Sequence, residues 1–203
     1  MPRKKPLVYP VVFIILLTAL FTFLLAFINA STIDEIERQE ELSIQRSILY
    51  IFDIPYKELD DRDITKRYTQ NISSSIEKNR KIYRYTLNDT VKGYAFEFSG
   101  SGLWGTISGH IAFTPSFDQI LGVNFIRHSE TPGLGGRIDE VTYKDQFRNI
   151  SVMTANPLIY RPATNGNIDS ISGATLTSKA VKDIINDFIP KIKSYAKEVG
   201  LYE

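Results

Sequence analysis

Between Lys5 and Asp34 the chain carries no charged residue, and Leu7 to Ala30 reads LVYPVVFIILLTALFTFLLAFINA. A helix built from this run is apolar on every side, which suits lipid. At ~1.5 Å per residue the run is long enough to cross a hydrocarbon core of about 30 Å. Thr18 and Thr22 fit that reading because their hydroxyls can bond to the preceding turn. Pro10 sits near the start, where a helix accepts it. A cleaved signal peptide is the alternative. Its apolar core is shorter, about 7–15 residues, and Asn29-Ala30-Ser31 is a poor cleavage context, with Ile28 where a small residue is preferred. The sequence predicts a retained single-pass anchor within residues 1–30. Arg3, Lys4 and Lys5 precede it, and Asp34, Glu35 and Glu37 follow. That asymmetry predicts an N-terminus in the cytoplasm and everything after residue 31 on the outer face of the membrane.

A chain of 203 residues leaves room beyond the anchor for one domain of ordinary size. Lys and Arg total 24 against 23 for Asp and Glu, so no basic field suggests nucleic acid as a partner. The absence of cysteine excludes disulfides, thiolate nucleophiles, cysteine-ligated zinc and iron–sulfur clusters on this chain. His110 and His128 are the only histidines, too few for an ordinary metal or haem site, so no metal is expected. A redox role would need an organic cofactor.

Past the anchor, residues 31–80 read as a helical spacer or packing region. Ser31 or Thr32 can cap an amphipathic helix running to Phe52, with Ile36, Leu42, Ile44, Ile48 and Ile51 as an imperfect apolar stripe. Ile54-Pro55 ends it; Asp60 to Asp63 reads as loop, and Asn71 to Arg80 as a short helix. From residue 81 the period changes. Ile82 to Leu87 and Val91 to Phe98 alternate around Asn88-Asp89, the signature of a hairpin. Leu103–Phe113 and Ile120–Ile126 are two more expected strands, Tyr143–Asn149 an expected helix, and Lys179–Lys197 a terminal helix with apolar residues at helical spacing. The fold class is α+β: one transmembrane helix, then a domain over residues 81–203 with a mainly antiparallel sheet and flanking helices.

Two segments carry chemistry. In Asp169-Ser-Ile-Ser-Gly-Ala-Thr-Leu-Thr-Ser178 a glycine turn meets a helix start, with hydroxyls at Ser172, Thr175, Thr177 and Ser178. A helix N-terminus is a natural phosphate site, although the same residues equally describe an ordinary capped helix. In His128-Ser-Glu-Thr-Pro-Gly-Leu-Gly-Gly136, Leu134 can lie under a planar ring with polar groups at the rim; a plain glycine-rich loop reads the same way. Trp104, the only tryptophan, can stack on a cofactor or fill a core. Hydrolysis finds little support: His128 lies near Ser129 and Glu130, and His110 near Asp118, but no Gly-x-Ser-x-Gly elbow occurs.

Taken together, Gly102-Leu-Trp-Gly105, Glu130-Thr-Pro-Gly-Leu-Gly135 and Asp169-Ser-Ile-Ser-Gly-Ala-Thr-Leu-Thr-Ser178 resemble the FMN-binding domain family of membrane redox complexes. Its members include the G subunit of the Rnf complex (ferredoxin:NAD oxidoreductase) and the C subunit of the sodium-pumping NADH:quinone oxidoreductase. The resemblance implies an electron-carrying flavoprotein with no catalytic residue of its own, most like the Rnf protein. It implies FMN joined covalently through a phosphoester to Thr175 by a separate flavin transferase, which reads a motif that includes Asp169. By the same resemblance Ser172, Gly173, Ala174, Leu176, Thr177 and Ser178 surround the phosphate, while Trp104, Glu130, Thr131, Leu134 and Gly135 line the flavin. The partners implied are the other membrane subunits of such a complex and the lipid bilayer. The alternatives are the quinone-reductase protein and a membrane-tethered module that binds flavin reversibly.

Overall fold

The computed structural model describes residues 8–154 and 156–202. Arg3, Lys4 and Lys5, on which the expected orientation rests, lie outside the described residues. The chain divides into two compact units, Met1–Glu41 and Leu42–Glu203.

Helix α1 runs from Val8 to Ile51 without a break. Its first part belongs to the first unit and exposes its apolar side chains; it is long and apolar enough to cross a membrane. Ser31 and Thr32 do not cap a new helix. Their hydroxyls turn back onto the carbonyls of Phe27, at 2.8 Å, and Ile28, at 3.0 Å, inside the continuous helix. This is the usual outlet for a hydroxyl within a helix, and the helix runs on through both residues.

The second unit starts within α1. Leu42, Ile48, Leu49 and Ile51 are buried in it, so the last turns of α1 are core, not spacer. Two expectations fail next. Asp60 to Asp63 opens a helix, α2 (Asp61–Asn71): Asp60 is its N-cap, accepting from the Asp63 N–H at 2.8 Å, and Asp61 and Asp63 complement the helix dipole. Residues 72–80 are not helical. They give strand β1 (Ile72–Glu77) and a tight turn in which Lys78 and Asn79 both take positive φ. Four more strands follow: β2 (Arg80–Leu87), β3 (Thr90–Ser101), β4 (Thr106–Phe113) and β5 (Ile120–Arg127). Asn88 and Asp89 at φ 51° and 57° close the expected β2–β3 hairpin, as a two-residue turn between twisted strands requires.

All five strands pair antiparallel with their sequence neighbours, in the order β1-β2-β3-β4-β5. The pleat sends alternate side chains to two separate cores. Tyr94, Phe96 and Phe98 of β3 and Ile107, Ile111 and Phe113 of β4 join a large aromatic core closed by the terminal helix α4 (Thr175–Glu198), through Val181, Ile185, Ile189 and Ile192. Tyr83, Ala95 and Ala112 face the other way, onto Ile48, Leu49, Ile51 and Ile64. Between β5 and α4 lie a short helix α3 (Val141–Lys144), flanked by 3-10 turns at Gly135–Asp139 and Asp145–Phe147, and an irregular stretch that pairs Tyr160 with Ile168.

Candidate functional site

Helix α4 begins at Thr175, with Ala174 before it and no side chain capping the end. The amides of Thr175, Leu176 and Thr177 have no carbonyl one turn earlier to bond, so they are donors aimed out of the helix end. Thr175 is exposed, as are Ser172 and Gly173. Gly173 has φ +77°, a conformation glycine adopts without strain, and a Cβ there would lie 3.2 Å from Leu134 Cδ2. The turn before α4 and the glycine-rich loop after β5, 39 positions apart in sequence at Gly173 and Leu134, therefore meet in space.

What joins them is Glu130. Its carboxylate is 4% exposed. Oε1 accepts the N–H of Leu103 at 2.8 Å and of Trp104 at 3.2 Å, and Oε2 accepts the Thr177 hydroxyl at 2.6 Å. The carboxylate is also enclosed by bare backbone. A Cβ on Gly102 would come within 2.5 Å of Oε1, and one on Gly135 within 2.9 Å of Oε2 and 2.5 Å of Thr177 Oγ1. Glycine at these two places is what lets three segments converge on one side chain.

The other residues sort by exposure. Leu103, Trp104, Leu134 and Leu176 are apolar yet 46–68% exposed, with Trp104 the most exposed of the four. They surround the α4 start as open apolar surface, and Leu103 and Leu176 edge a groove of about 760 Å³ between the end of β3 and the outer face of α4. Trp104 does not fill a core. Thr131 is exposed, while Ala174 and Gly135 are buried. Thr177 and Ser178, expected to face a phosphate, are buried instead. Thr177 donates to Glu130, and Ser178 Oγ accepts the Ile171 N–H at 2.9 Å. Ser178 also takes the Tyr160 hydroxyl on its carbonyl at 2.8 Å. Asp169 is exposed, paired with Arg161 at 2.9 Å, while its N–H donates to Gln146.

The histidines fit no hydrolytic arrangement. His128 Nδ1 accepts the Glu130 N–H at 3.2 Å and its Nε2 lies 2.9 Å from Asp139, so both ring nitrogens are engaged. His110 is 2% exposed and contacts Ser47 at 3.0 Å, while Asp118 bonds Thr114. Burial, with a smaller contribution from Lys81, pushes the His110 pKa down to about 4. Among the described residues no cluster of His, Asp and Glu is placed to hold a metal ion. A second groove, of about 660 Å³, lies near Tyr50 and Arg148, and none of the residues discussed above for the α4 start lines it.

The sequence points to Glu130 but not to its burial, and it gives no role to Gly102, Leu103 or Tyr160. For Gly102 and Leu103 a signal was present: a bare Gly-Leu-Trp-Gly string straight after a strand. For Tyr160 there was none.

Residues 102–189, from the start of this loop to most of α4, match the FMN-binding domain family. This segment is similar to an FMN-binding domain. It takes in β4, β5, all three converging segments and Thr175. The domain's relatives include the C subunit of the Na(+)-translocating NADH-quinone reductase of Pseudomonas aeruginosa, 30% identical over 45% of this chain and 40% of that protein. They also include the G subunit of the ion-translocating oxidoreductase complex of Methanosarcina acetivorans, 32% identical over 51% of this chain and 53% of that protein. The chain thus spans about half the length of the curated relatives it matches. Among solved structures, NqrC of Shewanella oneidensis superposes with a TM-score of 0.63 over 76% of this chain and 93% of its own. The corresponding Na(+)-translocating NADH-quinone reductase protein of Parabacteroides distasonis gives 0.64 over 74% and 89%. At 18% and 19% identity, this likeness is one of fold.

The residues present suit FMN. The uncapped start of α4 suits a phosphate, and the exposed Leu103, Trp104, Leu134 and Leu176 suit the faces of a heterocycle.

Proposed function

We propose that this chain is a membrane-anchored, electron-carrying subunit of an ion-translocating oxidoreductase complex, with FMN joined to Thr175 through a phosphoester. Bound FMN supplies one- and two-electron redox chemistry, which none of the chain's own side chains offers. The chain's part is to hold and to orient. Thr175 is the point of attachment, and the first-turn amides of α4, with the Ser172 and Gly173 turn, receive the phosphate. Trp104, Leu134, Leu103 and Leu176 give apolar walls, and Thr131 and Gly135 shape the loop beside them. Thr177 and Ser178 support the α4 start from within. Asp169 is the recognition residue for the flavin transferase. The single observation that carries this reading is an exposed threonine opening an uncapped helix, with exposed apolar side chains around it.

The anchor is the first part of α1, in a bacterial cytoplasmic membrane with the flavin domain on the outer face. In this reading residues 1–30 are the anchor, 31–80 pack or connect, and 81–203 are the flavin domain. The Rnf-type complex is the first assignment, supported by the relationship to the Methanosarcina acetivorans protein. The quinone-reductase complex is the second, favoured by the relatives and solved structures that carry that enzyme's name.

The test is expression with and without a flavin transferase, followed by a denaturing gel under ultraviolet light. A fluorescent band that needs the transferase is expected. Thr175→Val should abolish it with the circular dichroism unchanged. Fluorescence that survives in Thr175→Val would overturn the attachment site, and complete release of flavin on denaturation would favour a reversible binding module. Co-purifying subunits from native membranes decide between the two complexes.

A further inference from the structure

Glu130 stands out as a buried acid whose carboxylate, among the described residues, is met by donors from two other segments. Its two oxygens act as acceptors: Leu103 N–H, Trp104 N–H and Thr177 O–H occupy both. Buried at 4% exposure and walled by Gly102 and Gly135, it leaves little surface for a ligand to touch. It does hold what a ligand would touch. Leu103 and Trp104, both exposed, are bonded to it by their backbone, and Thr177 sits in the first turn of α4, two residues after Thr175. The loop is further closed by the Gly102 N–H bonding the Gly105 carbonyl at 2.7 Å. At the other end of Glu130, its own N–H is fixed by His128, which Asp139 holds in turn.

We propose that Glu130 is a positioning residue. It clasps the 102–105 loop to the start of α4 and thereby sets Trp104 and Leu103 relative to Thr175, while His128 and Asp139 hold the clasp from outside. This deepens, and rests on, the reading of Thr175 as the flavin attachment point, but the clasp itself is a property of the chain without flavin. Its chemistry also predicts which substitution is tolerated. Glutamine can keep a carbonyl oxygen on the two amides and donate its NH₂ to the Thr177 hydroxyl, which accepts as readily as it donates. Alanine can do neither.

The experiment uses the full chain in detergent, made without the transferase, and reads amide hydrogen exchange at Leu103 and Trp104 against Ile111 in the sheet. Trp104 fluorescence anisotropy is a second readout. Glu130→Ala should speed exchange at Leu103 and Trp104 about tenfold relative to Ile111, from the loss of a charged hydrogen bond, and lower the anisotropy. Glu130→Gln should stay close to the parent on both. Unchanged protection at Leu103 and Trp104 in Glu130→Ala would overturn the proposal. So would equal acceleration at Ile111, which marks general loosening, or a Gln variant as poor as Ala. Should Glu130→Ala fail to fold, Thr177→Val removes only the α4 end of the clasp; anisotropy equal to the parent would overturn the proposal there. With the transferase present, the flavin fluorescence of Glu130→Gln should match that of the parent and that of Glu130→Ala should differ from it. A chain that never takes covalent flavin would sink the attachment reading and leave the flavin-free measurements standing.

Discussion

The two faces of the sheet are built on opposite plans. The face toward α4 is filled by large rings: Phe96, Phe98, Phe113, Phe117 and Phe147 are almost fully buried, and Phe117 stacks on Phe113 and Tyr202 at centroid distances of 5.6 and 4.7 Å. The face toward α1 uses small residues, Ala95 and Ala112 beside Gly93 and Gly122. A Cβ on Gly122 would fall 2.5 Å from the Ile51 carbonyl oxygen, so the end of α1 lies with its backbone against the strands. Arg148 fastens that contact, donating to the carbonyls of Tyr50 and Leu121 at 2.8 Å. This face also holds a polar chain that runs from the interior outward: buried His110 contacts buried Ser47, Ser47 accepts from half-buried Asn124, and Asn124 accepts from Lys144 at 2.7 Å. The difference teaches a division of labour. Bulk on one side supports the helix that starts at Thr175, while close approach and hydrogen bonds on the other side locate the end of α1.

That contrast can be broken in a graded series. The largest effect belongs to the aromatic face. Phe113→Ala should cost about 3–5 kcal/mol, read as a lowered urea midpoint, and a cost below about 1 kcal/mol would mean the rings are not what holds α4. On the other face the strongest effect is set by pH. The His110 pKa is depressed to about 4 from 6.5. The unfolded chain therefore takes up a proton that the folded chain refuses. Stability is fully present above pH 6.5, falls as pH drops toward 4, and levels off below that. The loss should approach about 3 kcal/mol, and the difference in urea midpoint between about pH 7 and pH 5 should shrink in His110→Gln. Next comes Gly122→Ala, expected to cost about 1–3 kcal/mol through a clash that the backbone of Ile51 cannot avoid. If it were neutral, the close approach of α1 would be disproved. The smallest effect should come from Asp60→Ala, which removes the cap of α2 at the periphery of this face, for about 1 kcal/mol.

How much of this was legible in the residues depends on how far each signal reached along the chain. Asn88-Asp89 between two alternating runs identified the β2–β3 hairpin because a two-residue turn is a local matter. The terminal helix and the apolar run of α1 declared themselves by period and length. β1 did not: Ile-Ser-Ser-Ser-Ile-Glu has one buried residue in six, as an edge strand does, and so lacks the alternation that marks a half-buried strand. The start of α2 was mistaken because four consecutive polar residues look like loop unless the first is recognised as a cap. At the candidate site, the exposed members Thr175, Leu134 and Trp104 were readable as a set through family resemblance. The direction of Thr177 and Ser178 was not, because a hydroxyl's partner depends on Glu130 and Ile171, and the Glu130 contact spans 47 positions of sequence. The close contact of Gly122 with Ile51 was hidden for the same reason.

One consequence concerns how the domain can be handled at the bench. Since Leu42, Ile48, Leu49 and Ile51 are part of the folded body, a water-soluble fragment must keep the last turns of α1, although they belong to the same helix as the apolar run. A cut placed after Ile51 would strip the small-residue face of its cover and leave Gly122, Ala112 and Ala95 open to solvent and to neighbouring molecules. Starting the fragment a turn or more ahead of Leu42 keeps the cover and discards the apolar run that no aqueous buffer tolerates.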